Sequence, residues 1–337
     1  MKKSDINVKP AVKWEVLCRN ADFFHLEKEK FFQLHDFYLR MDQNFFKTGA
    51  EKVFHDFPMQ EAKKKLSESD LRKFLLLCLI ANRDFLIEYY SREGLPEMML
   101  QEISRDLRTW LDTLAKDFEG YGLTPRIFDW ERSCLNGDVK SFGRLQANDI
   151  HFFQLDLSIY LTGKKLTAYP AFSPSNPPCP DLTRGDKTIA VHIPATGAMD
   201  ETDCIRSIQQ MWDFSRKFHP DYDCKAIVCY SWLLDPVFRQ ILKASSNIVK
   251  FQQLGHTLVI PGQDQTAEVK WRIWGAKYRD TSPKKLPART SLERGVAEYL
   301  SGGGQFTEGL LVIFLDELPA LFKRLKPASG LIRRQGE

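Results

Sequence analysis

A histidine inside an apolar run is the first residue of this chain that invites chemistry. His192 stands between Val191 and Ile193, so alternation along a strand sends its side chain to the face opposite theirs. Its unperturbed pKa lies near neutrality, which suits a general base beside a bound ligand; a structural, hydrogen-bonded histidine is the competing reading. Tyr230 and Ser231 lie toward the end of a second apolar run, "KAIVCYSWLL". Open α/β sheets bind ligands at the carboxyl ends of their strands, and either hydroxyl there can protonate a leaving group. Packing for Tyr230 and a turn-starting hydroxyl for Ser231 are the alternatives. Between the two runs, "IPATGAM" (residues 193–199) enters a helix that opens on Asp200, Glu201 and Asp203. The first turn of a helix leaves about four N–H groups unpaired. With Gly197 allowing close approach and Thr196 offering a hydroxyl, the loop can cradle a pyrophosphate. The three acidic residues serve the helix dipole and would repel that anion, and no Lys or Arg stands beside the loop, so a plain turn competes.

Other patterns carry less. "HPDYD" (219–223) has a His-x-x-x-Asp spacing, but it falls where a helix ends before a strand, and a histidine near a helix C-terminus is favourable there anyway. "SGGGQF" (301–306) lacks the Lys-Ser/Thr of a P-loop and reads as a turn. "KWRIWGAKYR" (270–279) interleaves aromatic and basic residues, yet it reads better as a solvated amphipathic helix. The seven cysteines include no Cys-x-x-Cys pair and mostly sit in apolar runs, which points to buried thiols in a reducing cytoplasm and to no metal site.

The elements that position these residues divide the chain. Residues 20–120 read as helical almost throughout: "LRKFLLLCLIANRDFLIEYY" repeats apolar residues at helical spacing, with Ser67 and Ser69 as caps and Gly94 as a stop. Pro125 opens a short helix. Beyond it the order is β-β-β-α-β-α-β with a helical return. Prolines 170, 174, 177, 178 and 180 mark "AYPAFSPSNPPCPDLTRGD" as a loop. "SNIVKFQQLGHTLVIP" (246–261) reads as one long strand, "QTAEVKWRIWG" as a helix ended by Gly275, and Thr290 with Glu293 as a capping box. The apolar "AIVCYSWL" suits a central strand covered on both faces. The fold class is α/β (α+β mixed), a helical N-terminal domain followed by a mixed sheet flanked by helices.

Composition narrows the partners. A net charge of +4, from 48 basic and 44 acidic residues, gives no field that would gather nucleic acid or an anionic membrane. The N-terminal segment lacks the apolar core of a signal peptide, and Asp316, Glu317 and Pro319 interrupt the most apolar stretch. A cytoplasmic protein without a membrane span is the expectation.

Five landmarks occur in a familiar order: "FGRLQ" (142–146), "VHIP" (191–194), "YSWLLDP" (230–236), "SNIVKFQ" (246–252) and "TSLERGVAEYLSGGG" (290–304). Together they resemble the two-domain bacterial acyltransferase-like proteins with a helical N-terminal domain and a GNAT-like C-terminal domain. The resemblance implies a helical domain over 1–124, an acyl-CoA-binding domain over 125–316 and a tail over 317–337. It implies that the strand at 189–194 hydrogen-bonds the pantetheine, that the strand at 225–231 splays from it, and that Ile193, Ala195, Thr196, Gly197, Ala198 and Met199 hold the cofactor. The loop departs from the superfamily pattern, Gln/Arg-x-x-Gly-x-Gly/Ala, by lacking the leading Gln/Arg and by placing Met199 at the last small position. The implied reaction is direct transfer of an acyl group, acetyl by expectation, from CoA to the amine of a small molecule or peptide. His192 would accept the amine proton, and Tyr230 or Ser231 would protonate the departing thiolate. A GNAT-like module that binds acyl-CoA without turnover, or a protein-interaction module, is the alternative.

Overall fold

The computed structural model describes residues 9–10, 12–151, 157–170, 177 and 179–325. The chain forms two compact units. The first holds the chain through Ser141 with Pro194–Thr196 and Gly275–Lys277; the second holds Phe142–Ile193, Gly197–Trp274 and the chain from Tyr278 onward.

The first unit is helical: α1 (Trp14–Phe23), α2 (Lys28–Phe32), α3 (His35–Arg40), α4 (Gln43–Glu51), α5 (Met59–Lys65), α6 (Glu68–Ile80), α7 (Arg83–Glu93), α8 (Glu97–Asp117) and α9 (Pro125–Leu135). Helix α6 is its axis. Residues 74–80 of α6 are all buried, as expected of a helix apolar on every side and surrounded by others. The hydroxyl of Ser67 starts α6 by accepting from the Asp70 N–H, and Gly94 ends α7 in the left-handed conformation at φ 63°. Buried Asn20 and Asn82 donate their side-chain amide N–H groups to backbone carbonyls of Ile80, and of Ala50 and Cys78, which ties the packed helices together.

The second unit is built on a mixed sheet. The sheet's strands are β1 (Lys140–Phe142), of which Phe142 falls in this unit, β2 (Leu145–His151), β5 (Lys187–His192), β6 (Cys224–Ser231), β7 (His256–Asp264) and β8 (Thr307–Phe314), in the order β1-β2-β5-β6-β8-β7. Strands β5 and β6 are parallel, and the pairs β2–β5, β6–β8 and β7–β8 are antiparallel. A hairpin of β3 (Leu157–Thr162) and β4 (Lys165–Pro170) lays Ile159 and Leu166 on one face of the sheet, against Ala190, Ala226, Val228, Leu310 and Val312. Alternation turns Ile189, Val191, Ile227 and Cys229 to the other face. There α10 (Glu201–Phe218) buries Cys204, Ile205, Ile208 and Met211. A second core gathers Phe238 of α11 (Phe238–Ile241), Val269 of α13 (Thr266–Trp274), Val296 and Leu300 of α14 (Ser291–Ser301), and Phe306.

Several expectations hold. Strand β6 lies inside the sheet, α13 is a helix, and Thr290 with Glu293 closes a reciprocal capping box. Two need correction. The run at 246–261 is not one strand: α12 (Asn247–Gln252) precedes β7, because the Ser246 hydroxyl accepts from Val249 N–H and nucleates a turn that buries Val249 and Phe251. Ala168–Pro170 belong to β4 rather than to a loop, with Pro170 opposite Leu157 at the strand end, where a missing donor costs little. Most of the remaining proline-rich segment (171–176 and 178) and the basic tail beyond residue 325 lie outside the described residues. Residues Leu318–Phe322 form a short helix, α15.

The exit of β6 is fastened to β8. Asp235, 2% exposed, accepts from the N–H and hydroxyl of Thr307 with one carboxylate oxygen and from Val237 N–H with the other. Gly309 lets β8 pass the turn at Trp232–Leu234, since a Cβ there would come within 2.5 Å of the Leu234 backbone.

Candidate active site

The parallel ladder between β5 and β6 stops at Val191 and Cys229. Past that point each strand keeps only its outer neighbour. His192 lies opposite Gln146 of β2, whereas Tyr230 and Ser231 lie opposite Leu310 and Gly309 of β8. The middle of the sheet therefore parts at the carboxyl ends of two parallel strands, where the ladder no longer occupies the facing backbone groups.

One polar row crosses the sheet at this opening. His192 and Tyr230 share the face that the β3–β4 hairpin covers, because both are in phase with Ala190 and Val228. The same alternation brings Gln146 and Asn148 of β2 and Glu308 of β8 to that face. His192 Nε2 lies 2.8 Å from Asn148 Oδ1. With that oxygen as acceptor, Nε2 carries the proton and Nδ1 the lone pair. Burial of the ring lowers the His192 pKa to about 4, so the imidazole is neutral at physiological pH. Burial, and then the nearby Glu308, push the Tyr230 phenol well above its ordinary value, so it keeps its proton. Burial and then Glu268 raise the Glu308 carboxyl in turn. Ser231 points to the opposite face, and its hydroxyl oxygen accepts from Leu233 N–H at 3.2 Å, so the structure does not bring it to His192.

The loop after β5 is held from β2. The Arg144 guanidinium donates to the Ala198 carbonyl at 2.7 Å and to the Gly197 carbonyl at 2.8 Å. Its backbone N–H donates to the Ser207 hydroxyl, which donates to the Asp203 carbonyl. The expectation of a loop without a cation is thus corrected: pairing of β2 with β5 brings one from fifty residues upstream. The acidic trio is also largely accounted for. Asp200 is the N-cap of α10 and accepts from Thr202 and Asp203 N–H; Glu201 pairs with Arg324, and Asp203 pairs with Arg206 at 2.8 Å. Two first-turn donors are therefore taken by the chain itself. Gly197 is exposed with open space where a Cβ would stand; Ala195 and Ala198 are exposed, Ile193 and Thr196 half-buried, and Met199 buried.

The remaining motifs disperse. His219 faces Asp149 at 3.6 Å while Asp223 pairs with Lys225 at 2.8 Å. In the aromatic-basic stretch, Lys270 donates to the Thr281 carbonyl and Arg272 pairs with Glu268.

The family model for the GNAT-like C-terminal domain matches residues 139–311, just over half of the chain. The chain belongs to that family. No curated protein sequence matches it. Solved structures share its fold. An acyltransferase in complex with decanoyl-CoA and teicoplanin is 15% identical at a TM-score of 0.64, covering 92% of this chain and 90% of the other. An acyltransferase mutant in complex with octanoyl-CoA is 14% identical at 0.65, over 91% and 90%. An acyltransferase in complex with decanoyl-CoA is 19% identical at 0.59, over 80% and 77%. Among the described residues of this GNAT-like protein, no helix is long and apolar enough to cross a membrane.

Reasoning from the sequence missed Arg144, Asn148 and Glu308. Arg144 sits inside "FGRLQ", but only the strand order shows that its side chain reaches the loop. Asn148 follows two residues after that landmark, and the β2–β5 register alone makes it a neighbour of His192.

Proposed function

We propose that this GNAT-like protein is an acyl-CoA-dependent acyltransferase that acylates an amine of a small molecule or peptide by direct attack. The parting of β5 from β6, with His192 and Tyr230 on one face of the opening, carries this reading. The pantetheine arm lies in the opening, against Ile193. The pyrophosphate lies over the loop amides at Ala195, Thr196, Gly197, Ala198 and Met199. Arg144 holds that loop and supplies the positive charge its own sequence lacks.

In the reaction a neutral amine attacks the thioester carbonyl. The carbon–nitrogen bond forms, the carbon–sulfur bond breaks, the nitrogen gives up a proton and the sulfur takes one. His192 accepts the proton as the carbon–nitrogen bond forms and the attacking nitrogen becomes more acidic. Asn148 fixes the imidazole tautomer, and the protonated Tyr230 phenol serves the thiolate, with Ser231 the alternative donor. Holding donor and acceptor together supplies much of the acceleration. Acetyl is the donor the family resemblance implies, and the octanoyl- and decanoyl-CoA in the similar structures make medium chains the donors to set beside it.

One observation favours acyl-CoA binding without turnover: Asp200 already occupies two amides at the N-terminus of α10. Mass spectrometry of an amine panel incubated with acetyl-, octanoyl- and decanoyl-CoA separates the readings. Acylated amine, lost in His192→Ala, supports the transferase; saturable binding with no acylated product supports the binding module.

A further inference from the structure

The first unit buries three ionisable groups against one another. Asp106 of α8 and Glu131 and Cys134 of α9 bring their donor atoms within 4.8 Å of each other, and all three residues are buried. Glu131 and Cys134 are three apart and share one face of α9. Asp106 accepts from the Trp130 indole at 3.0 Å. Both Glu131 carboxylate oxygens are inaccessible and have no hydrogen-bond partner among the described residues, and the residue is 0% exposed. The Tyr90 hydroxyl of α7, in a residue 1% exposed, also lacks a hydrogen-bond partner and interacts electrostatically with Cys134.

The charges acting on this cluster are acidic. Asp106 acts on Glu131, and Glu131, Asp106 and Asp138 act on Cys134. Buried polar groups in folded proteins are hydrogen-bonded, paired or bound to an ion. A carboxyl with two empty oxygens, beside a second carboxyl and a thiol, has the converging donors of a cation site. We propose that Asp106, Glu131 and Cys134 bind one zinc ion that ties α8 to α9, with Tyr90 at its margin. Oxygen-seeking ions such as magnesium and calcium make no use of a thiolate, whereas zinc takes sulfur and carboxylate oxygen together. No Cys-x-x-Cys spacing announces such a site, because the fold assembles it from two helices. The site is independent of the acyl-transfer reading.

The test uses the full chain purified without chelator or added metal. Elemental analysis should find about one zinc per chain, retained in Cys179→Ser, which removes the exposed thiol, and lost in Cys134→Ser. Protein stripped with a chelator should unfold at lower temperature and take up cobalt with a thiolate-to-cobalt charge-transfer band. Glu131→Gln separates a cation from a proton: loss of zinc with a lower Tm supports the site, whereas an equal or higher Tm means the carboxyl simply holds a proton. Wild-type protein that carries no zinc and takes up neither zinc nor cobalt after stripping overturns the proposal.

Discussion

Arg144→Met should weaken CoA binding without unfolding the protein. The guanidinium makes two charge-assisted hydrogen bonds, at 2.7 and 2.8 Å, to the carbonyls of Ala198 and Gly197. Such bonds are worth about 1.5–3 kcal/mol each when buried. These lie at the surface, so about 1 kcal/mol apiece is the appropriate scale. Methionine keeps the aliphatic stem and leaves the backbone bond from Arg144 N–H to Ser207 in place. Without the clamp the loop regains freedom worth about 1 kcal/mol per residue, which the ligand must then remove on binding. The sum over two or three residues is about 2–3 kcal/mol, a rise in Kd of roughly 30- to 150-fold. Titration calorimetry with free CoA at two salt concentrations measures this, and the wild type should show the steeper salt dependence. Arg144→Lys, which keeps the charge but not the fork, should fall between. A folded Arg144→Met protein whose Kd stays within about twofold of wild type would refute the clamp.

Other perturbations test separate links. His192→Ala should lower kcat by about 10²- to 10⁴-fold with little change in the KM for acyl-CoA, as steady-state kinetics would show. Because burial holds the His192 pKa at about 4, below the ordinary value near 6.5, the unfolded chain binds its proton first as pH falls. Its contribution is complete above the ordinary pKa and is lost as pH drops toward 4; denaturation at pH 7.5 and pH 5 should show a smaller loss in His192→Gln than in wild type. Asp200→Ser keeps an N-cap acceptor but removes a negative charge beside the loop, so CoA should bind about 2- to 5-fold more tightly by calorimetry with Tm nearly unchanged. Asp235→Ala leaves the half-buried Thr307 donors without their acceptor and should cost about 1–3 kcal/mol in chemical denaturation.

Much of this architecture is legible in local sequence because local physics decides it. The continuous apolar run in α6 cannot be solvated on any side, and Ser67, Gly94 and Thr290 mark helix ends through bonds within a few residues. His192 and Tyr230 are visible because apolar runs frame them. What escapes is whatever depends on strand order: Arg144 reaches the loop, and Asn148 reaches His192, only because β2 pairs with β5. The misread α12 shows the same limit at short range. A β-branched, aromatic stretch looks like strand until one serine hydroxyl caps it and the surrounding core accepts Val249 and Phe251. The Asp106–Glu131–Cys134 cluster escapes too, since α8 and α9 contribute its members separately.

The measurement that bears most directly on the central claim is thermal unfolding with a concentration series of free CoA and of acetyl-, octanoyl- and decanoyl-CoA. Ligand at about 100 times its Kd stabilises the folded protein by about 2.7 kcal/mol, a shift of several degrees. Wild type should show such a shift, and Gly197→Glu, which sets a carboxylate over the loop, should lose it. No shift with any of these thioesters, or an equal shift in Gly197→Glu, would contradict the placement of acyl-CoA between β5 and β6.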